Sequence, residues 1–292
     1  LDKLNDREII LQELATLNPL DDRAFRILLS DDEQFIVLAE ALLGQKLDED
    51  KIININGEIV LSVKGRLIRL DALRDTNIGY VNMEGQMDAS DFPFKRHVFH
   101  GAFVYVNGIQ KSGSWDELKP AISIVVYKDK GGDAVIETAS LSGSLVKSSN
   151  DKNQLQLMAV NSKQWKEAES EELRIYLSTL HNGIMTDENK GSFVGVDTDA
   201  DTFLMFQRAV RLACAKTKQQ EYKEKGDDFM ATQYATYLTD EERVAAKEEG
   251  ENTAFGLAVE IISMLKAGVP TSEIAEKCRV KPRVVEELRI AL

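Results

Sequence analysis

The stretch Tyr80-Val81-Asn82-Met83-Glu84-Gly85-Gln86-Met87-Asp88, with Leu67-Ile68-Arg69-Leu70-Asp71-Ala72-Leu73 before it, decides the fold. In the first, Val81, Met83 and Met87, with Gly85 between them, alternate with Asn82, Glu84, Gln86 and Asp88. A period of two belongs to a strand with one apolar and one polar face. The second is apolar except at Arg69 and Asp71, and Asp75-Thr76-Asn77-Ile78-Gly79 lies between them. The spacing therefore predicts a hairpin of residues 66–74 and 79–88. A turn centred on Asn77-Ile78 puts Asp71 directly opposite Glu84, with Cβ atoms about 5 Å apart. Opposed carboxylates repel unless something positive lies between them. A hard divalent cation such as Mg²⁺ meets that need with oxygen ligands and retained waters. A salt-bridged face neutralised by Arg69 or Arg74 meets it as well.

Outward from the hairpin, helices are expected over residues 3–17, 23–29 and 33–43, the last two capped by Asp21 or Asp22 and by Asp31-Asp32. From about residue 51 the β-formers Ile52, Ile53, Ile55, Ile59, Val60, Leu61 and Val63 change the period. After the hairpin come a helix over about 92–110, the β-rich run Ala121 to Tyr127, and a strand from Asp133 to Leu141. This order reads as an α/β core. Residues 143–153 read as a loop, and the chain beyond Leu155 as largely helical, ending in three short helices over Ala258–Lys266, Thr271–Cys278 and Pro282–Leu292. The expected division is a core over 1–147, a helical extension over 148–250 and a small helix-turn-helix-like tail over 251–292. That tail, locally basic through Lys277, Arg279, Lys281, Arg283 and Arg289, suits either DNA contact or packing and self-association into a homo-oligomer.

Composition narrows the class. With 292 residues, 43% hydrophobic and 29% charged, the chain is ample for a globular core. Two cysteines far apart, Cys214 and Cys278, give neither a disulfide framework nor a zinc ribbon and fit a reducing compartment. No apolar run reaches membrane-spanning length and residues 1–20 are charged, so a cytoplasmic location without membrane association is expected. The net charge of −13 leaves no broad basic surface, so a nucleic-acid site has to be a local patch or depend on bound metal. Phosphate-binding glycine loops are absent from the sequence. His97 and His100 are three apart on the expected helix over 92–110 without a zinc motif, which favours a structural or surface role.

Asp71, followed 13 positions later by Glu84-Gly85-Gln86, resembles the D…ExK/ExQ core of the PD-(D/E)XK nuclease superfamily. The surroundings resemble its recombination-promoting nuclease or putative transposase branch. Asp22-Arg23-Ala24-Phe25-Arg26 is similar to that family's D-x-x-F-K motif, and Phe94-Lys95-Arg96-His97-Val98-Phe99-His100 to the basic, aromatic helix after its E-x-Q strand. Trp115-Asp116-Glu117-Leu118-Lys119-Pro120 is similar to its Y-x-x-L-x-P entry to a buried strand, and Ala267 to Ala275 to its ending. The resemblance covers nearly the whole chain and implies a restriction-endonuclease-like core, a mixed sheet flanked by helices, with a helical C-terminal region. It implies a metal-dependent endonuclease acting on DNA, with RNA as the alternative substrate and Mg²⁺ or Mn²⁺ as cofactor. Asp71, Glu84 and the carbonyl of Gly85 would bind the metal, Gln86 would take the place of the superfamily's lysine, and Asp22 would be an accessory acid. Arg26, Arg69, Lys95 and Arg96 are the candidate nucleic-acid contacts. The departures are Gln86 for lysine, Arg26 for the commoner lysine, His100 for an aromatic residue and Trp115 for tyrosine. Glutamine carries no charge, so Lys64, Arg69 or Lys95 is left to supply it. The competing class is a catalytically inactive nuclease fold that binds DNA or another protein.

Overall fold

The computed structural model describes residues 6–55, 62–63, 66–67, 70–88, 93–107, 119–140, 155–266, 269–278, 280, 285 and 288–289. Arg69, Lys64, Trp115 and the expected loop over 143–153 therefore lie outside the described residues, as do Arg279, Lys281 and Arg283 of the tail.

Three helices come first: α1 (Asp6–Ala15), α2 (Asp22–Leu28) and α3 (Asp32–Leu43). Asp21 and Asp31 cap α2 and α3 by accepting the N–H of Arg23 and of Glu33, satisfying donors that a helix start leaves open. The strands are β1 (Ile53–Asn54), β2 (Ser62–Val63), β3 (Arg66–Leu67), β4 (Ala72–Thr76), β5 (Gly79–Asp88), β6 (Ala121–Asp129), β7 (Ile136–Ser140) and β8 (Leu155–Asn161). Between β5 and β6 lies α4 (Pro93–Asn107). After β8 come α5 (Glu171–Asn182), α6 (Asp201–Lys225), α7 (Asp228–Lys266) and α8 (Thr271–Lys277).

Six strands form one mixed sheet in the order β1-β4-β5-β6-β8-β7, so the α/β expectation holds. β5, β6 and β8 run parallel at its centre, and β1, β4 and β7 are antiparallel to their neighbours. β2 and β3 pair separately. The predicted first hairpin strand is thus split: Arg66-Leu67 turns back onto Ser62-Val63, and β4 begins at Ala72.

Helices cover both sheet faces. Successive side chains on β5 point to opposite faces. From one face, Leu73, Ala121, Leu155 and Leu157 pack against Phe103 and Val104 of α4. On the other, α2 lies so close to β5 that a Cβ on Gly85 would come within 2.8 Å of the Phe25 ring and 3.1 Å of the Leu20 carbonyl oxygen. Gly85→Ala is therefore expected to destabilise the chain by about 1–3 kcal/mol, read as a fall in denaturation midpoint. An unchanged midpoint would mean that α2 can slide away from β5.

The sheet continues past residue 147. Leu155-Gln-Leu-Met-Ala-Val-Asn161, read from sequence as the start of a helical region, is β8, a strand inside the sheet. Leu, Met and Ala favour helices, yet β8 is buried on both faces between β6 and β7, and tertiary context overrides propensity there. The chain divides into compact units over 1–234 and 235–292. In the second unit, Ile261 of α7 and Ile274 and Ala275 of α8 form a small core with Val285. The expected short helix Ala258–Lys266 is the end of the 39-residue α7. No described helix is long and apolar enough to cross a membrane.

Candidate active site

The hairpin register extends Asp71 onto Glu84. β4 and β5 pair Thr76 with Gly79 and Ala72 with Met83 around the two-residue turn Asn77-Ile78. Continuing that register, Asp71, in the bend just before β4, takes the position opposite Glu84. The Gly85 N–H lies beyond the last ladder pair, and it donates to Asp71 Oδ2 at 3.0 Å. In a strand, the N–H and C=O of one residue point toward the same neighbouring strand. The Gly85 carbonyl is therefore aimed at the side where β4 has ended.

Asp71 and Glu84 form an acidic pair in which burial and mutual repulsion work against charge on Asp71. Burial, and then the charge of Glu84, push the Asp71 carboxyl up to about 8, against the opposing bond from Gly85. Asp22 raises it further, and Arg26 opposes as the smallest contribution. The exposed Asp22 pairs with Arg26 Nη2 at 3.3 Å, while Arg26 Nη1 is buried and has no hydrogen-bond partner among the described residues. The first turns of α2 thus bring Asp22 and Arg26 into the field of Asp71.

Arg74 does not fill the role of neutralising cation. It lies three residues from Asp71, an odd number, and so on the opposite sheet face. There it is fully buried. Its Nε donates to Asp32 Oδ1 at 2.8 Å, Nη2 to the Leu29 carbonyl at 2.8 Å and Nη1 to the Leu73 carbonyl at 3.2 Å. Its guanidinium stacks 4.8 Å from the Phe35 ring centre. The salt-bridged face through Arg74 is replaced by an anchor for α3.

Glu84 is 5% exposed and sits in a polar network under α4. His100 Nδ1 and Asn82 Nδ2 (3.0 Å) both donate to Glu84 Oε1. Asn82 also reaches Ser123 Oγ on β6 at 3.4 Å, and His97 Nε2 donates to the Ser123 carbonyl at 2.8 Å. Burial lowers the His97 pKa, which leaves the ring neutral at pH 7. Tyr127, the register partner of Gln86, stays a neutral phenol, because burial and then Glu84 push it up to about 12. The half-buried Gln86 accepts from Arg96 Nη1 at 3.4 Å on the exposed side of α4, where Lys95 is also exposed.

The structure thus brings together Asp71, Glu84, Gly85, Asp22 and Arg26, and places Gln86 beside Arg96. Sequence reading missed the contact of His100 with Glu84. The signal was present, since His97 and His100 share a helical spacing with Gly101 and Val104 on one face of α4. Among the described residues, no group of three or more His, Cys, Asp or Glu side chains is arranged to hold a metal ion. The donor set at β5 is a carboxylate pair and a backbone carbonyl. No family model, curated protein or solved structure matches this chain.

Proposed function

We propose that this chain is a metal-dependent nuclease with a restriction-endonuclease-like core, hydrolysing phosphodiester bonds, with DNA as substrate. The observation that carries the reading is the acidic pair Asp71–Glu84 where β4 stops, with the Asp71 carboxyl raised by burial and by Glu84. A pair of carboxyls that burial and repulsion keep from ionising together costs stability unless a ligand of opposite charge uses it. Asp71 and Glu84, with the Gly85 carbonyl, would hold Mg²⁺ or Mn²⁺, since Mg²⁺ is commonly bound through one or two carboxylates with the rest of its shell water. A bound ion would supply an acidified water and stabilise charge on the phosphoryl group.

The protein's own groups handle the phosphate and the water. Arg26 carries an Nη1–H with no partner among the described residues, suited to a phosphate oxygen next to the acidic pair. Arg96 and Lys95 line the exposed side of α4 and offer further phosphate contacts. Gln86 orients water through its amide and, lacking charge, leaves Arg96 to supply the cation that lysine provides elsewhere in the superfamily. Asp22 keeps Arg26 in place as an accessory acid.

The test is incubation of the purified chain with plasmid DNA and with a structured RNA, each with Mg²⁺, Mn²⁺ or chelator. Metal-dependent DNA cleavage that disappears in Asp71→Ala and Glu84→Ala is expected. Cleavage of RNA alone would move the substrate class. DNA binding without cleavage would make the chain a nuclease-fold binding protein. Gln86→Lys is expected to flatten the Mg²⁺ dependence, because it places a cation on the same strand. Identical Mg²⁺ curves for Gln86→Lys, Gln86→Ala and the wild type would remove Gln86 from the site.

A further inference from the structure

We infer that His100 is a positioning residue, fixing one oxygen of Glu84 so that the other alone is offered to a bound cation. This rests on reading Asp71–Glu84 as a cation site. A carboxylate has two oxygens and about four acceptor positions. Here both protein donors, His100 Nδ1 and Asn82 Nδ2, go to Oε1, and among the described residues none goes to Oε2. Left to itself, a glutamate on a sheet samples several rotamers, and a single-oxygen ligand needs one of them.

The ring that sets this rotamer is itself held. One turn earlier on α4, His97 binds the Ser123 carbonyl of β6, and one residue later Gly101 lets the helix approach the sheet. A Cβ on Gly101 would come within 2.6 Å of Leu157 Cδ2 and 3.3 Å of Ser123 Cβ. His100 is 6% exposed. The contact between ring and carboxylate is thus built from three elements, β5, α4 and β6. Hydrogen-bond partners behind metal ligands commonly change metal affinity 10–100-fold when removed. Nothing in the sequence motif specifies this role, because the E-x-Q pattern ends at Gln86 and His100 sits 16 residues from Glu84.

The experiment titrates the full chain with Mn²⁺ alone and reads free ion by electron paramagnetic resonance. The variants are His100→Phe, which keeps ring bulk without a donor, and the pair His100→Asn and His100→Gln. The Asn amide lies at the reach of Nδ1, and the Gln amide lies beyond it. Mn²⁺ binding is expected to weaken about 10–100-fold in His100→Phe and His100→Gln, and to be largely retained in His100→Asn. Wild-type affinity in a folded His100→Phe overturns the inference. Should that variant not fold, equal affinities for His100→Asn and His100→Gln overturn it instead. Metal-free crystal structures separate this failure from that of the cation reading. If the wild type binds no Mn²⁺, the cation site is lost, and the inference falls with it as regards the ligand. A Glu84 rotamer unchanged in His100→Gln would then refute the positioning as well.

Discussion

Asp71→Asn is expected to abolish metal-dependent cleavage and, in metal-free buffer at pH 7, to melt at a higher temperature than the wild type. The substitution keeps the shape and an oxygen acceptor for the Gly85 N–H, and removes a carboxyl whose ionisation burial and Glu84 both oppose. The sign follows from linkage. In the folded chain the Asp71 pKa is about 8, against 3.8 for the free side chain. A raised pKa gives stability that is fully present below about pH 4 and is lost as pH rises through about 8. Asparagine has no such loss, so the gap between variant and wild type should open from pH 4 and level off above pH 8. Each pKa unit corresponds to about 1.4 kcal/mol, and with the repulsion shared between two carboxyls a gain on the order of a few kcal/mol is expected. Added Mn²⁺ should raise the wild-type melting temperature and leave Asp71→Asn unmoved. A melting temperature that falls in Asp71→Asn at pH 7 would show that the carboxylate is a structural acceptor whose charge the fold needs.

The second large effect concerns Arg74. Arg74→Ala is expected to destabilise the chain by about 3–5 kcal/mol, since it opens a cavity under α3, takes from the Leu29 carbonyl its Arg74 donor and leaves the Leu73 carbonyl with the Ile55 N–H alone. Arg74→Met should cost less, because an apolar chain of similar length refills the space beside Phe35. Asp32→Ala takes the counter-ion from a fully buried guanidinium and should cost about as much as Arg74→Ala, although the carboxylate itself is half in solvent. Thermal or denaturant unfolding measures all three. The Mn²⁺ affinity of folded Arg74→Met should match the wild type, because Arg74 serves the face away from Glu84. A change there would return Arg74 to the neutralising role that the sequence allowed it.

The hairpin was legible because parity is rigid in a strand. Once Asn77-Ile78 is recognised as the turn, every pair down to Ala72–Met83 follows, and Asp71 falls opposite Glu84. Alternation along β5 likewise told which residues share a face. Helix starts were legible from Asp21 and Asp31, whose side chains act on the adjacent backbone. The rest depends on distant partners. Arg69 and Arg74 look alike in sequence, and only the packing of α3 shows where Arg74 goes. β8 reads as helix in isolation, because its strand identity comes from β6 and β7 on either side. His100 carried the right spacing, but its meaning required the 16-residue closure of α4 onto β5.

The strand at one edge of the described sheet, β7, has a consequence for the behaviour of the chain in solution. It is short and largely exposed, with Glu137 bridged to Lys130, and it bonds along its whole length to β8. Without it, Leu155, Leu157, Met158 and Val160 would border an open row of backbone donors and acceptors, ready to recruit strands from other molecules. β7 is thus the guard that keeps a hydrophobic inner strand from templating aggregation. A polar, charged strand of five residues suits that task because it makes a poor partner for a further strand.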